Sequence, residues 1–117
     1  MISIIENQYL KEIMATEEII YNDKGAGQSR VYQRYDLVPP VPLKAVATVL
    51  AEGAEKYGEW NWDGIDIESH LNHALRHIME YLMGNVEDND ISDHLSHALC
   101  RLMFAHHVHT RDIDVQE

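Results

Sequence analysis

HLNHALRH at residues 70–77 and HLSHALCR at residues 94–101 share five of eight positions, and their starts lie 24 residues apart. At ~100° per residue on a helix, the first copy and its continuation place Leu71, Ala74, Leu75, Ile78 and Leu82 on one stripe. His70, His73, His77 and Glu80 form a second, narrower stripe beside it. The second copy repeats the arrangement, with Leu95, Ala98, Leu99 and Leu102 on the apolar stripe and His94, His97 and Arg101 on the polar one. Two helices joined by a short loop tend to pack antiparallel through their apolar faces. Leu75 is therefore expected in a core, and the polar stripes are expected to flank one cleft with up to five imidazoles, a carboxylate and a guanidinium.

Outward from this pair, Asp66 is a plausible N-cap for a helix running to about Met83, and Gly84 stands where a C-cap glycine belongs. The acidic loop NVEDND follows, Ser92 is placed to cap the last helix, and that helix runs to about His109 before the tail TRDIDVQE. Upstream, Pro42 suits the first turn of a helix, and Leu43, Val46, Val49 and Leu50 carry its apolar face toward an end near Gly58. EWNWDG makes a turn with both tryptophans. Residues 22–41 are rich in helix breakers, and VYQRY within them has strand character. Residues 1–22 carry Ile4, Ile5, Tyr9, Leu10 and Ile13 in rough helical phase. The expected fold class is all-α: a small helical bundle with an irregular Gly- and Pro-containing N-terminal segment. The expected organisation is one domain over 1–117, with a helix-and-loop arm at 1–41, a three-helix core at 42–109 and a tail at 110–117.

Composition narrows the function. Nine Lys and Arg stand against 20 Asp and Glu, for a formal charge of −11. Such a surface repels a nucleic-acid polymer, although a few cations or a metal still allow one small anion. No apolar run approaches the ~18 residues of a spanning helix, so no membrane partner is expected. The single cysteine, Cys100, lies on an apolar helix face and agrees with a reducing compartment. HExxH, paired CxxC motifs, a Walker loop and GxSxG are all missing, which excludes zincins, zinc deaminases, P-loop NTPases and serine hydrolases of the elbow type. GAGQS at 25–29 lacks the preceding apolar strand of a dinucleotide fold.

Acid and imidazole on helices remain. Carboxylates suit Mg²⁺ or Mn²⁺, and imidazole also admits Fe²⁺ or Zn²⁺. Glu52 and Glu55 stand at i, i+3, Glu80 on the first histidine helix, and Glu87, Asp88, Asp90 and Asp93 just before the second. A metal in an acidic bundle is a natural seat for a nucleoside triphosphate, since the cation neutralises the phosphates and activates water. Lys24, Lys56, Arg76 and Arg101 are the cations best placed for phosphate, and Tyr57, Trp60 and Trp62 have rings able to stack on a base.

GAGQSRVYQRYDLVPP, GAEKYGEWNW, HLNHALRH and DHLSHALCRLMFA together resemble the phage-rich family of dATP/dGTP diphosphohydrolase N-terminal domains, over roughly residues 23–106. The resemblance implies an all-α NTP pyrophosphatase-like protein, allied to MazG-like pyrophosphohydrolases. Such a protein cleaves a purine deoxynucleoside triphosphate to the monophosphate and pyrophosphate. Matching positions include Lys56, Tyr57, Asn61, Trp62, Arg76, His77, Asp93, His94, His97 and Arg101. The MazG pattern of ExxE then ExxD is met by Glu52 and Glu55, but Met83 stands three residues after Glu80.

The expected metal ligands are Glu55, His77, Glu80, Asp93 and His94, with Glu55, His77, Asp93 and His94 catalytic. Lys24, Lys56, Tyr57, Asn61, Trp62, His73, Arg76, His97 and Arg101 are expected to bind substrate. A homo-oligomer (dimer or tetramer) is expected, because so few helices bury a small core. The expected setting is cytoplasmic, that of the bacterial host for a phage-encoded chain. The competing reading from another class is a non-catalytic, sponge-like nucleotide-binding phage protein.

Overall fold

A computed structural model describes Gln8 and residues 18–116. The N-terminal helix expected around Ile4–Ile13 lies outside the described residues. The rest is mostly helical, with one correction to the all-α expectation. A two-stranded antiparallel hairpin, β1 (Ile19–Tyr21) and β2 (Gly27–Ser29), pairs Ile19 with Ser29 and Tyr21 with Gly27. Its turn is built by Asn22, whose side-chain oxygen accepts from the amides of Lys24 (2.9 Å) and Ala26 (3.0 Å). Gly25 turns the chain at φ 81°. Gly27 makes room instead, since a Cβ there would lie 2.8 Å from the Tyr21 ring, which would have to shift. The glycines of GAGQS thus shape a hairpin. VYQRY forms no strand and leads instead into a 3-10 turn at Tyr35–Leu37.

Three helices follow: α1 (Pro40–Tyr57), α2 (Ile67–Leu82) and α3 (His94–Gln116). Helix α1 begins at Pro40, two residues before the expected Pro42, because extended Pro39 precedes it and proline is tolerated in a first turn. Asp66 caps α2 by accepting from the Ser69 amide. At α3 the cap is Asp93, not Ser92: its carboxylate accepts from the Ser96 amide (2.8 Å) and hydroxyl (2.6 Å). Helix α3 also runs past His109, and Arg111 on its far turns donates to the carbonyl and carboxylate of Asp63 at 2.7 and 2.6 Å. That link ties α3 to the 3-10 turn Asn61–Gly64 ahead of α2.

Helix α3 is the centre of the molecule, with α2 on one side and α1 on the other. Toward α1 the core is Val46, Cys100 and Phe104, with Val49, Leu50 and Trp62 packed on it. Trp62 stacks on Phe104 at 4.3 Å between ring centroids. Toward α2 the contact is made by the other stripe. His70, Ala74 and His77 are buried, while Leu71, Leu75 and Leu82 are 40%, 57% and 69% exposed. This reverses the expected packing. Ala74 and Ala98, both buried, let the helices approach closely, and the leucines lie about 100° around each helix from that seam. Among the described residues no helix is long and apolar enough to cross a membrane.

Candidate functional site

The α2–α3 seam explains the duplicated octapeptide. His77 meets His94 and His70 meets Arg101, with the buried alanines Ala74 and Ala98 between these pairs in sequence on each helix. The two copies therefore cross antiparallel, and the first residue of each copy pairs with the eighth residue of the other. One end of the seam is an imidazole pair; the other is an imidazole and a guanidinium. The ends are two helical turns apart, ~10 Å along the axis.

At the first end, His77 Nδ1 and His94 Nδ1 lie 2.8 Å apart in a buried contact. One must donate and the other accept, so the ring that accepts has a bare Nδ1 and is neutral. Asp88 Oδ1 stands 3.8 Å from His94 Nδ1, and Asp88 Oδ2 stands 3.3 Å from His97 Nε2. His97 stacks on His77 at 4.9 Å and meets the Ser92 hydroxyl at 2.7 Å. From α1, Glu52 Oε2 accepts from Ser92 Oγ and Asn89, while its Oε1 is buried with no hydrogen-bond partner among the described residues. Asn89 shapes the loop by accepting from the amides of Ile91 and Ser92, which turns Asp88 toward the imidazoles. Three imidazoles and two carboxylates thus converge. One ligand atom each from His77, Asp88 and His94 lies within 4.8 Å of the others, a grouping able to hold a metal ion.

Burial, and next the charge of His97, press the His77 imidazole down to about 4 from its ordinary 6.5. The neutral form is thus favoured by folding. Its contribution to stability is complete above pH 6.5 and is lost as pH falls from 6.5 toward 4, by up to about 3 kcal/mol. Urea unfolding at pH 7, 5.5 and 4.5 is expected to show this loss, and His77→Gln is expected to flatten it. An equally steep acid slope in the variant would remove His77 as its source.

At the second end, His70 is fully buried, its Nε2 lies 2.9 Å from the Trp62 carbonyl and its Nδ1 3.1 Å from Arg101. His73 and Arg76 are exposed on the same helix. Burial, then the charges of Arg101 and Arg76, lower the His73 pKa. The described ion pairs engage Arg30, Arg34 and Arg111, and leave Arg76 and Arg101 without a carboxylate.

Of the expected metal ligands, His77 and His94 come together. Asp93 is occupied as a helix cap, and its bonds from Ser96 lower its pKa. Glu80 accepts from Asn85, and Glu55 is exposed on α1. Of the expected substrate residues, His97 joins the imidazole cluster and Arg101 anchors the other end. Trp62 gives a ring face to Phe104. Lys24 sits in the hairpin turn, and Lys56, Tyr57 and Asn61 are exposed at the end of α1 and in the turn after it. Glu52, Asp88 and Ser92 are the cluster members absent from the expected site.

A family profile described as dATP/dGTP diphosphohydrolase, N-terminal, matches residues 22–117. A protein of Salmonella phage PMBT28 named dATP/dGTP diphosphohydrolase is 42% identical over 53 residues, which cover 45% of this chain and 18% of that protein. The match thus spans less than a fifth of that relative's length. No solved structure matches the chain.

Proposed function

The chain belongs to the dATP/dGTP diphosphohydrolase N-terminal family, and we propose that it hydrolyses a purine deoxynucleoside triphosphate to the monophosphate and pyrophosphate with a divalent metal. The observation that carries this reading is the convergence of His77, His94, His97, Asp88 and Glu52 from three helices and the α2–α3 loop of an acidic protein. The donor set fits a cation: one ligand atom each from His77, Asp88 and His94 lies within 4.8 Å of the others, an ion there would replace the one hydrogen shared by the two imidazoles, and Glu52 keeps a buried oxygen unspent. His77, His94 and Asp88 would hold the ion, which when bound neutralises phosphate charge and makes water a stronger nucleophile.

The protein's own groups do the rest. Glu52, joined to the cluster through Ser92, is the base that orients the attacking water. The Ser92 hydroxyl, 3.2 Å from that carboxylate and 2.7 Å from His97 Nε2, links it to an imidazole able to take up the proton. Arg101 from the far end of the seam and Arg76 from the exposed turn beside His77 hold phosphate oxygens, since a guanidinium offers two parallel donors. With imidazole and carboxylate mixed, Mn²⁺ satisfies both ligand types better than Mg²⁺, which prefers oxygen.

The test is to incubate the purified chain with each dNTP and Mn²⁺ or Mg²⁺ and to follow pyrophosphate. Release from dGTP or dATP, faster with Mn²⁺, is expected. Tight nucleotide binding with no pyrophosphate under either metal would replace the enzyme by a nucleotide-binding protein.

We also propose that the exposed apolar face is covered by a second copy of the chain. Leu71, Leu75, Ile78 and Met79 recur as Leu95, Leu99, Leu102 and Met103 at the same 24-residue offset. In antiparallel helices the two rows fall on the same side of the seam, away from α1, and the crossing relates them by a near two-fold. A face with its own two-fold character matches a second copy of itself, as closed dimers require. Its leucines and methionines expose on the order of 700 Å², close to the ~800 Å² each partner contributes to a standard interface.

A further inference from the structure

We infer that His70 is a positioning residue, whose neutral ring aims Arg101 and leaves its positive charge free for the phosphate chain. This rests on the nucleotide reading above. The tautomer follows from the two partners alone. A carbonyl only accepts, so the hydrogen facing the Trp62 oxygen at 2.9 Å sits on Nε2. A guanidinium only donates, so Nδ1, 3.1 Å from Arg101 Nη1, is the bare acceptor. The ring cannot swing away, because it is fully buried and packs on Phe104 at 5.3 Å, while Phe104 itself is stacked on Trp62.

The choice of imidazole matters. A carboxylate at the same place would orient Arg101 equally well and also neutralise it. A neutral ring orients without neutralising. Arg101 is half-buried, has no carboxylate partner among the described residues, and makes its one hydrogen bond there to His70. An uncompensated, partly desolvated guanidinium is costly until an anion meets it, and most of its five donors remain unspent. The neutral state of His70 is maintained by burial and by Arg101, which outweigh the Trp62 carbonyl and the Asp66 carboxylate in lowering its pKa.

Two substitutions separate the roles of the two ring nitrogens. His70→Gln keeps a donor near the Nε2 position and so the link to Trp62, but removes the acceptor for Arg101. His70→Asn keeps an acceptor near Nδ1 and gives up the Trp62 link. Binding of inorganic tripolyphosphate is measured by calorimetry without metal, beside the melting temperature and dGTP turnover with Mn²⁺. Gln is expected to weaken tripolyphosphate binding and raise KM roughly tenfold with little change in kcat or melting temperature. Asn is expected to stay within about threefold of wild type in binding.

Gln binding as tightly as wild type, or Asn losing as much as Gln, would overturn the inference. So would nitrogen-15 spectra showing His70 of the wild-type chain protonated at Nδ1 at pH 7, a reading that needs neither variant. Arg101→Gln tells the two levels apart: if it loses binding while His70→Gln does not, the phosphate site stands and His70 has no part in it. If wild type binds no tripolyphosphate, both fall.

Discussion

His94→Ala is expected to abolish pyrophosphate release from dGTP while the chain still folds. The loss should exceed the ~10–100-fold that follows removal of a group merely supporting a metal ligand. Three features concentrate the effect at this residue. Its Nδ1 faces His77 at 2.8 Å, the same nitrogen stands 3.8 Å from Asp88 Oδ1, and it opens α3, where its amide is held by the Val86 carbonyl at 3.0 Å. The backbone bond survives truncation, and Asp93 still caps the helix, so the structural cost is that of the unpaired His77 nitrogen, about 1–3 kcal/mol, together with the cavity left by a buried imidazole. Turnover and unfolding should therefore separate. The measurements are steady-state kinetics with Mn²⁺ and urea unfolding of the same preparation. Near-normal turnover from a folded His94→Ala chain would end the metal reading. Asp88→Asn should behave alike in kinetics but cost less stability, because Asp88 is bonded to no buried donor except through His97.

The parts of this site written in helical period were legible, and the parts written in loop geometry were not. His77 and His94 fall together because two copies of one motif, crossing antiparallel, must bring first and eighth residues into register. Which stripe faces inward is not legible from hydrophobicity, because leucines outrank histidines in any hydrophobic count. Close packing of two helices instead favoured the stripe with alanine at its centre. Glu52 and Glu55 look equivalent as an ExxE pair, yet their phase differs. Glu55 lies ~180° around α1 from the buried Val46, whereas Glu52 sits ~60° from Val49, on the flank that reaches α3. That signal was present in the spacing. Asp88 had none, since its aim depends on Asn89 turning the loop by bonds to Ile91 and Ser92. The hairpin at Ile19–Ser29 likewise depends on one Asn22 side chain and on Gly25 at positive φ, which no periodicity reveals.

A chain carrying both Leu75→Asp and Leu99→Asp is expected to run as a monomer of 13.5 kDa where the unsubstituted protein runs at twice that mass or more. In an isolated chain these positions are 57% and 41% exposed, and a carboxylate there would change stability by only about 0.5 kcal/mol. At the centre of an apolar interface, each charge would be buried beside its counterpart from the other copy. Losing two central anchors of ~2 kcal/mol from each copy, four in the dimer, weakens association by roughly a millionfold. The same substitutions serve as a control on the site, because the leucine face and the His77–His94 cluster lie on different sides of α2 and α3. Activity per folded chain that survives in the monomer means that each copy carries a complete site. Activity that vanishes with the dimer means that a second copy completes it. Light scattering of the two proteins at matched concentration decides the first point, and an unchanged mass for the doubly substituted chain would remove the second copy as occupant of that face.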